Sequence, residues 1–232
     1  DDSSMGYPHD PPDWWQWQWF ARVSDLVDQY QPDFLYTDGG VPFGEVGRNL
    51  IANFYNDNIA RKGRLEAVYC LKDMREFDEN KGPSHGEYVE GIGVQDVERG
   101  AIGQIKGLPW QSDTCIGGWF YNQFLEYKTA RCVIQLLADV VSKNGNLLLN
   151  FPLRGEGTLD EPSLEVVNAL GAWMSVNGEA IHDTRPWVRF GEGPTSSEGG
   201  LFTEQERPYT SEDFRFTAKG DTLYAIMLGW PA

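Results

Sequence analysis

Histidine and cysteine are scarce, at three residues each in a chain of 232. Cys70, Cys115 and Cys132 cannot build a disulfide framework and lack paired metal-ligand spacing. They read as buried thiols, and three scattered histidines supply no zinc set, so no metal or cofactor is expected. Basic residues are also few. Lys and Arg total 19 against 35 Asp and Glu, a net charge of −16. Such a field repels phosphate backbones and anionic lipid surfaces, so neither nucleic acid nor membrane is an expected partner. No apolar run approaches the roughly 20 residues of a membrane helix. Residues 1–13 are polar and proline-rich, without a basic n-region or an apolar h-region, so no signal peptide is expected there and the compartment stays open. Nucleotide and serine-hydrolase signatures are missing as well. The glycine-rich turns lack a P-loop Lys-Ser/Thr and a strand–GxGxxG–helix, and neither G-x-S-x-G nor His-Glu-x-x-His occurs.

What is present is apolar and aromatic. The hydrophobic fraction is 41% and the aromatic fraction 13%, with nine Trp, ample for a core and incompatible with disorder. The length suits one large domain, or one domain and a fragment of another. Asp13 reads as the N-cap of a helix carrying Trp19, Val23, Leu26, Val27 and Tyr30 at helical spacing. The four Trp at 14, 15, 17 and 19 cannot share one helix face, so some must be exposed or meet a partner. Strands are predicted near 33–37, 65–71, 94–98, 147–151 and 187–190. Helices are predicted from Pro42, over 130–141 and from Pro162 to about Val176. Helix and strand alternate, and continuous apolar strands indicate parallel pairing, so the fold class is α/β with a parallel sheet, open or barrel-like. Residues 1–190 form this part. Residues 191–232 read as a linker and a β-hairpin around Lys219-Gly220-Asp221.

Two carboxylates stand at predicted strand ends. Asp38 ends the strand Phe34-Leu-Tyr-Thr37 and precedes two glycines, which let a ligand approach closely. The plainer reading is a turn Asp. Glu98 ends the run Val94-Gln-Asp-Val-Glu98, and its plainer reading is a surface pair with Arg99. Two carboxylates flanking one bond are the minimal kit for glycoside hydrolysis: one stays ionised and attacks, the other donates a proton. Glu66, Glu87 and Glu90 are the reserves for the proton donor. Trp110, Trp119, Phe120 and Tyr121 cluster nearby. Aromatic faces pack on sugar C–H faces, and Asp or Gln can bind hydroxyls, although core packing is the usual role of Trp.

The segment Tyr30-Gln-Pro-Asp-Phe-Leu-Tyr-Thr-Asp-Gly-Gly40 resembles the nucleophile segment of the α-L-fucosidases of glycoside hydrolase family 29. Asp96-Val-Glu-Arg-Gly100 and Pro109-Trp-Gln-Ser-Asp-Thr-Cys-Ile-Gly-Gly-Trp119 resemble that family's acid/base region. Leu137-Ala-Asp-Val-Val-Ser-Lys-Asn-Gly-Asn-Leu-Leu-Leu-Asn150 and Asn177-Gly-Glu-Ala-Ile-His-Asp-Thr-Arg-Pro-Trp187 resemble further family segments, with His182 where the family has Tyr. The resemblance implies the second half of a (β/α)8-like barrel with a short C-terminal β appendage. It implies retaining cleavage of terminal α-L-fucosyl residues through a covalent fucosyl-enzyme, with Asp38 as nucleophile and Glu98 as acid/base. Retention places such carboxyl groups about 5–5.5 Å apart. Tyr36, Trp110, Asp113 and Trp119 are the expected substrate contacts, and the partner is a fucosylated glycan or aryl fucoside. The family's first barrel strands, with the histidines that grip fucose, precede the nucleophile segment, whereas 37 residues precede Asp38 here. The competing reading is therefore a half-barrel that binds sugar without turnover. Half a barrel also leaves sheet edges and an apolar interior open, so a homo-oligomer burying them with the Trp14–Trp19 segment is expected.

Overall fold

The computed structural model describes residues 11–73, 86–195, 202, 204 and 207–231. Most of the polar stretch following Lys72 lies outside the described residues. The chain divides into two compact units, Asp1–Asp96 and Val97–Ala232.

The first unit runs α1 (Asp13–Tyr30), β1 (Phe34–Tyr36), α2 (Glu45–Lys62), β2 (Val68–Lys72) and β3 (Val94–Asp96). Asp13 is the first helical residue rather than the cap. The cap position is Pro12, whose extended backbone (φ −60°, ψ 151°) suits entry to a helix without a side-chain bond. The strands pair in parallel, with Tyr36 opposite Cys70 and Lys72 opposite Asp96. Side chains alternate along each strand. Leu35, Tyr69 and Leu71 face outward and pack with Val27 of α1 and Ile51 and Phe54 of α2. Each fully buried Leu or Phe contributes about 2 kcal/mol. The opposite face differs: Phe34 is 44% exposed and Val68 38%.

The second unit runs β4 (Trp110–Cys115), α3 (Ala130–Ser142), β5 (Gly145–Asn150), α4 (Glu161–Asn177), β6 (Arg185–Glu192), β7 (Phe214–Lys219) and β8 (Thr222–Met227). β4 and β5 are parallel partners from Trp110↔Gly145 to Cys115↔Asn150. Thr129 caps α3 by accepting from the Cys132 amide, and Asp160 caps α4 by accepting from the Ser163 amide. Ile116, Val133 and Val166 form the core between strands and helices, with Leu147 and Leu149 packed against it. The strand read near 187–190 exists, but it is β6 of an antiparallel sheet ordered β6-β7-β8. The strand absent from the sequence reading is β4. Its residues Trp-Gln-Ser-Asp-Thr-Cys carry no apolar alternation, yet all six are buried.

Beneath the antiparallel sheet lies a buried ionic cluster. Asp139 of α3 accepts from Lys143 Nζ at 2.7 Å and from Arg215 Nε of β7 at 2.6 Å. The Phe190 ring lies against both cations, 4.7 Å from Lys143 Nζ and 5.5 Å from the Arg215 guanidinium carbon. Burial pushes the Lys143 ammonium pKa down, against the pull of the Asp139 charge.

Candidate active site

In the first unit, polar side chains gather at the carboxyl ends of β1, β2 and β3, the end where parallel α/β folds build sites. Asp38 lies two residues beyond β1, and its side chain is 81% exposed. Lys72, the last residue of β2, is buried with a side chain only 4% exposed, and its ammonium donates to Asp38 Oδ1 at 2.7 Å. A carboxylate is thus presented to solvent while one oxygen is fixed by a cation from below. The same ammonium stands over the Tyr36 ring at 6.0 Å. The Tyr36 hydroxyl donates to Oδ2 of the fully buried Asp96 at 3.3 Å.

The turn that carries Asp38 is held on several sides. The Lys72 amide donates to the Gly39 carbonyl at 2.8 Å, and Thr37 Oγ1 shares a 2.6 Å hydrogen bond with the Tyr69 hydroxyl. Burial pushes that Tyr69 phenol up to about 12. Val41 and Glu87 exchange amide hydrogen bonds at 2.7 and 2.9 Å. Gly40 allows this closure, because a Cβ there would come within 2.7 Å of the Glu87 carbonyl oxygen. Cys70, between Tyr36 and Val94, is pushed up to about 12 by burial, helped by the Asp96 charge, and is no nucleophile.

In the second unit, Glu98 is half-buried in the turn after β3, and Arg99 beside it adopts a left-handed backbone (φ 43°). That turn is pinned to β4: the Arg99 amide donates to the Asp113 carbonyl at 2.8 Å, and Ser112 Oγ donates to the Gly100 carbonyl at 3.0 Å. Asp113 and the Glu98 turn are therefore neighbours. Two residues from far along the chain also grip the turn. The Phe202 amide donates to the Glu98 carbonyl at 2.9 Å, and the Glu204 amide to the Arg99 carbonyl at 2.8 Å. The buried Glu204 carboxylate accepts from Thr114 Oγ1 at 2.6 Å and lies 3.3 Å from Lys128 Nζ. Trp119 is 37% exposed, and its carbonyl accepts from Asn150 Nδ2 at 3.3 Å. Trp110 is corrected. It is wholly buried, packs with Val97 and Val140, and its indole N–H donates to the Lys143 carbonyl at 3.0 Å. No face of it remains for a ligand.

Two of the three reserve carboxylates, Glu66 and Glu87, are engaged by arginines. Glu66 sits at the amino end of β2, where its pKa is lowered by a hydrogen bond from Arg64, and Glu87 forms an ion pair with Arg48. Sequence reasoning missed Lys72, Asp96 and Glu204. A signal existed for the first two. Lys72 is a charge ending a buried strand, as Asp38 is, and Asp96 shares strand parity with Glu98. Glu204 meets Thr114 across 90 residues of chain, which no local pattern reports.

Parallel βα units with charged side chains collected at their strand ends are the build of (β/α)-barrels and of open α/β sheets alike. The chain belongs to the α-L-fucosidase family: the family model described as Alpha-L-fucosidase matches residues 3–179. Among curated relatives, an α-L-fucosidase of Branchiostoma floridae is 26% identical over 91% of this chain and 42% of its own length. The tissue α-L-fucosidase of Homo sapiens is 28% identical over 90% of this chain and 41% of its own. The chain thus spans about two-fifths of the length of these relatives. A crystal structure of Thermotoga maritima α-fucosidase in complex with fucose superposes at a TM-score of 0.69, with 25% identity over 95% of this chain and 44% of that one. The fold is part of a (β/α)8-type barrel followed by a small antiparallel sheet.

Proposed function

We propose that this chain carries the hydrolytic carboxylates of a retaining α-L-fucosidase acting on terminal α-L-fucosyl residues. Asp38 attacks the anomeric carbon and forms a fucosyl ester. Glu98 gives its proton to the departing oxygen and then takes one from the incoming water. Tyr36, Asp113 and Trp119 are proposed to line the sugar. The observation that carries the reading is the pairing of Asp38 with Lys72: the carboxylate is oriented by a buried cation and open to an incoming molecule. The test is hydrolysis of a chromogenic aryl fucoside by the purified chain. Asp38→Gly should lose turnover by several orders of magnitude and, with azide, yield a fucosyl azide of inverted configuration. Turnover by Asp38→Gly near that of the parent chain removes the assignment.

A second reading is favoured by the strand faces opposite the helices, where Phe34, Val68 and Leu148 are exposed. It holds that the chain binds fucose and is turned over only when another surface covers that face, a second copy being the proposed cover. Fucose binding by calorimetry without aryl-fucoside hydrolysis selects this reading. Light scattering tests the assembly, and a clean 26 kDa monomer at micromolar concentration contradicts it.

A further inference from the structure

We infer that Glu204 is a positioning residue for Glu98, fastening the turn that carries it to β4, an inference that rests on Glu98 being the acid/base. Glu204 belongs to the connection between β6 and β7, which reaches back from the antiparallel sheet to the parallel strands. Three observations carry the inference. The backbone of that connection grips the turn at two successive carbonyls: the Phe202 amide donates to Glu98 at 2.9 Å and the Glu204 amide to Arg99 at 2.8 Å. The Glu204 side chain, 8% exposed, then reaches β4, where its Oε2 accepts from the buried Thr114 hydroxyl at 2.6 Å. Its Oε1 lies 3.3 Å from Lys128 Nζ, and Arg99 Nε stands 3.7 Å from Oε2. Finally, Arg99 and Phe202 both adopt left-handed backbone, at φ 43° and 53°. Residues other than glycine keep that conformation where their surroundings over-determine it.

β4 already holds the turn through the Asp113 carbonyl and the Ser112 hydroxyl. Glu204 adds a second tie from the same turn to the same strand. The chemistry uses that rigidity twice in each turnover. In glycosylation, the Glu98 carboxyl gives its proton to the oxygen that leaves with the electron pair of the broken bond. In deglycosylation, the resulting carboxylate takes a proton from the attacking water. Both transfers need the carboxyl within hydrogen-bond reach of the reacting oxygen, and a displacement of about 1 Å costs on the order of a hundredfold. Glu98 stands in a turn after β3, so its place is set by whatever binds that turn. Glu204 acts through the Glu98 and Arg99 backbone and not on the sugar.

The test is leaving-group dependence on the full chain. Phenyl fucoside needs a proton for departure, and dinitrophenyl fucoside does not. Glu204→Ala should lower kcat/KM about a hundredfold for the former and less than about threefold for the latter. With dinitrophenyl fucoside, kcat and KM should fall together, because water attack on the fucosyl-enzyme still needs a base. A loss of folded protein would instead lower both substrates alike. Glu204→Gln and Thr114→Val should show the same pattern at about tenfold, and they carry the test if Glu204→Ala fails to fold. A readout without turnover accompanies these. Exchange of the Arg99 amide hydrogen, bonded to the Asp113 carbonyl, should quicken about tenfold or more in the Glu204 variants, while the amides of α3 keep their protection. Equal losses on the two fucosides, no loss on either, or unchanged Arg99 exchange overturns the inference. Glu98→Ala measured alongside separates it from the functional reading. If Glu98→Ala loses both substrates equally, or the parent chain hydrolyses neither, the functional reading falls, and Arg99 exchange alone decides whether Glu204 holds the turn.

Discussion

Among the described residues each unit buries one lysine ammonium, and the two are partnered in opposite ways. Lys143 faces Asp139, itself buried, and Asp139 also accepts from Arg215, so charge closes upon itself inside the second unit. Lys72 faces Asp38, whose carboxylate looks outward from the first unit. A closed cluster ties α3 to β7 and serves the fold. A cation buried beneath an open carboxylate ties no second element together, and it is this pair that the proposed function uses.

The largest effects should divide along that contrast. Asp38→Ala should remove turnover by several orders of magnitude and, because it takes one exposed carboxylate away from the buried Lys72 ammonium, lower stability by about 1–3 kcal/mol. Urea unfolding beside an aryl-fucoside assay checks both numbers. Asp139→Ala should do the reverse in kind, costing about 3–5 kcal/mol by leaving two buried cations without their shared carboxylate. A stable Asp139→Ala chain would erase the distinction. Gly145→Ala should cost about 1–3 kcal/mol by overpacking. Its Cβ would stand 2.6 Å from the Trp110 ring and 2.7 Å from Val140. Thermal melting reads that loss, and a neutral result would mean that Trp110 is not the fixed core residue described.

A smaller effect is expected with pH. Asp213 is buried; burial opposes its charge, but hydrogen bonds from the amides and hydroxyls of Thr210 and Thr195 outweigh it and lower its pKa. A folded-state pKa below the unfolded one means stability is present above the ordinary carboxylate range and is lost as pH falls through the folded value. Acid unfolding should therefore steepen below that range, and Asp213→Asn should flatten the slope. An unchanged slope would assign the acid sensitivity to other groups.

Much of the first unit's site was legible because its signals are local. Asp38 followed by two glycines marks a strand end that must turn tightly, and that is where the carboxylate stands. α3 was equally plain, since Ala130, Val133, Ile134, Leu137, Ala138 and Val141 fall at helical spacing, and Val133 and Ala138 are buried. β4 was not, because its polar residues are satisfied by distant partners. Ser112 bonds to Gly100 and Thr114 to Glu204, so a strand without apolar alternation is buried throughout. Trp110 was misplaced for a related reason: grouped with Trp119, Phe120 and Tyr121 as an aromatic cluster, it became a sugar contact, whereas inside a strand it is core. Lys72 and Lys143 both read as ordinary charged residues ending an element, and only tertiary packing shows that each is buried.

Covalent trapping tests the central claim most directly. The chain is incubated with an activated 2-deoxy-2-fluoro-fucoside, digested and analysed by mass spectrometry. A single fluorofucosyl adduct on the peptide containing Asp38, absent in Asp38→Ala, is the predicted result. An adduct on another carboxylate, or hydrolysis of aryl fucoside that continues unchanged in Asp38→Ala, would contradict it.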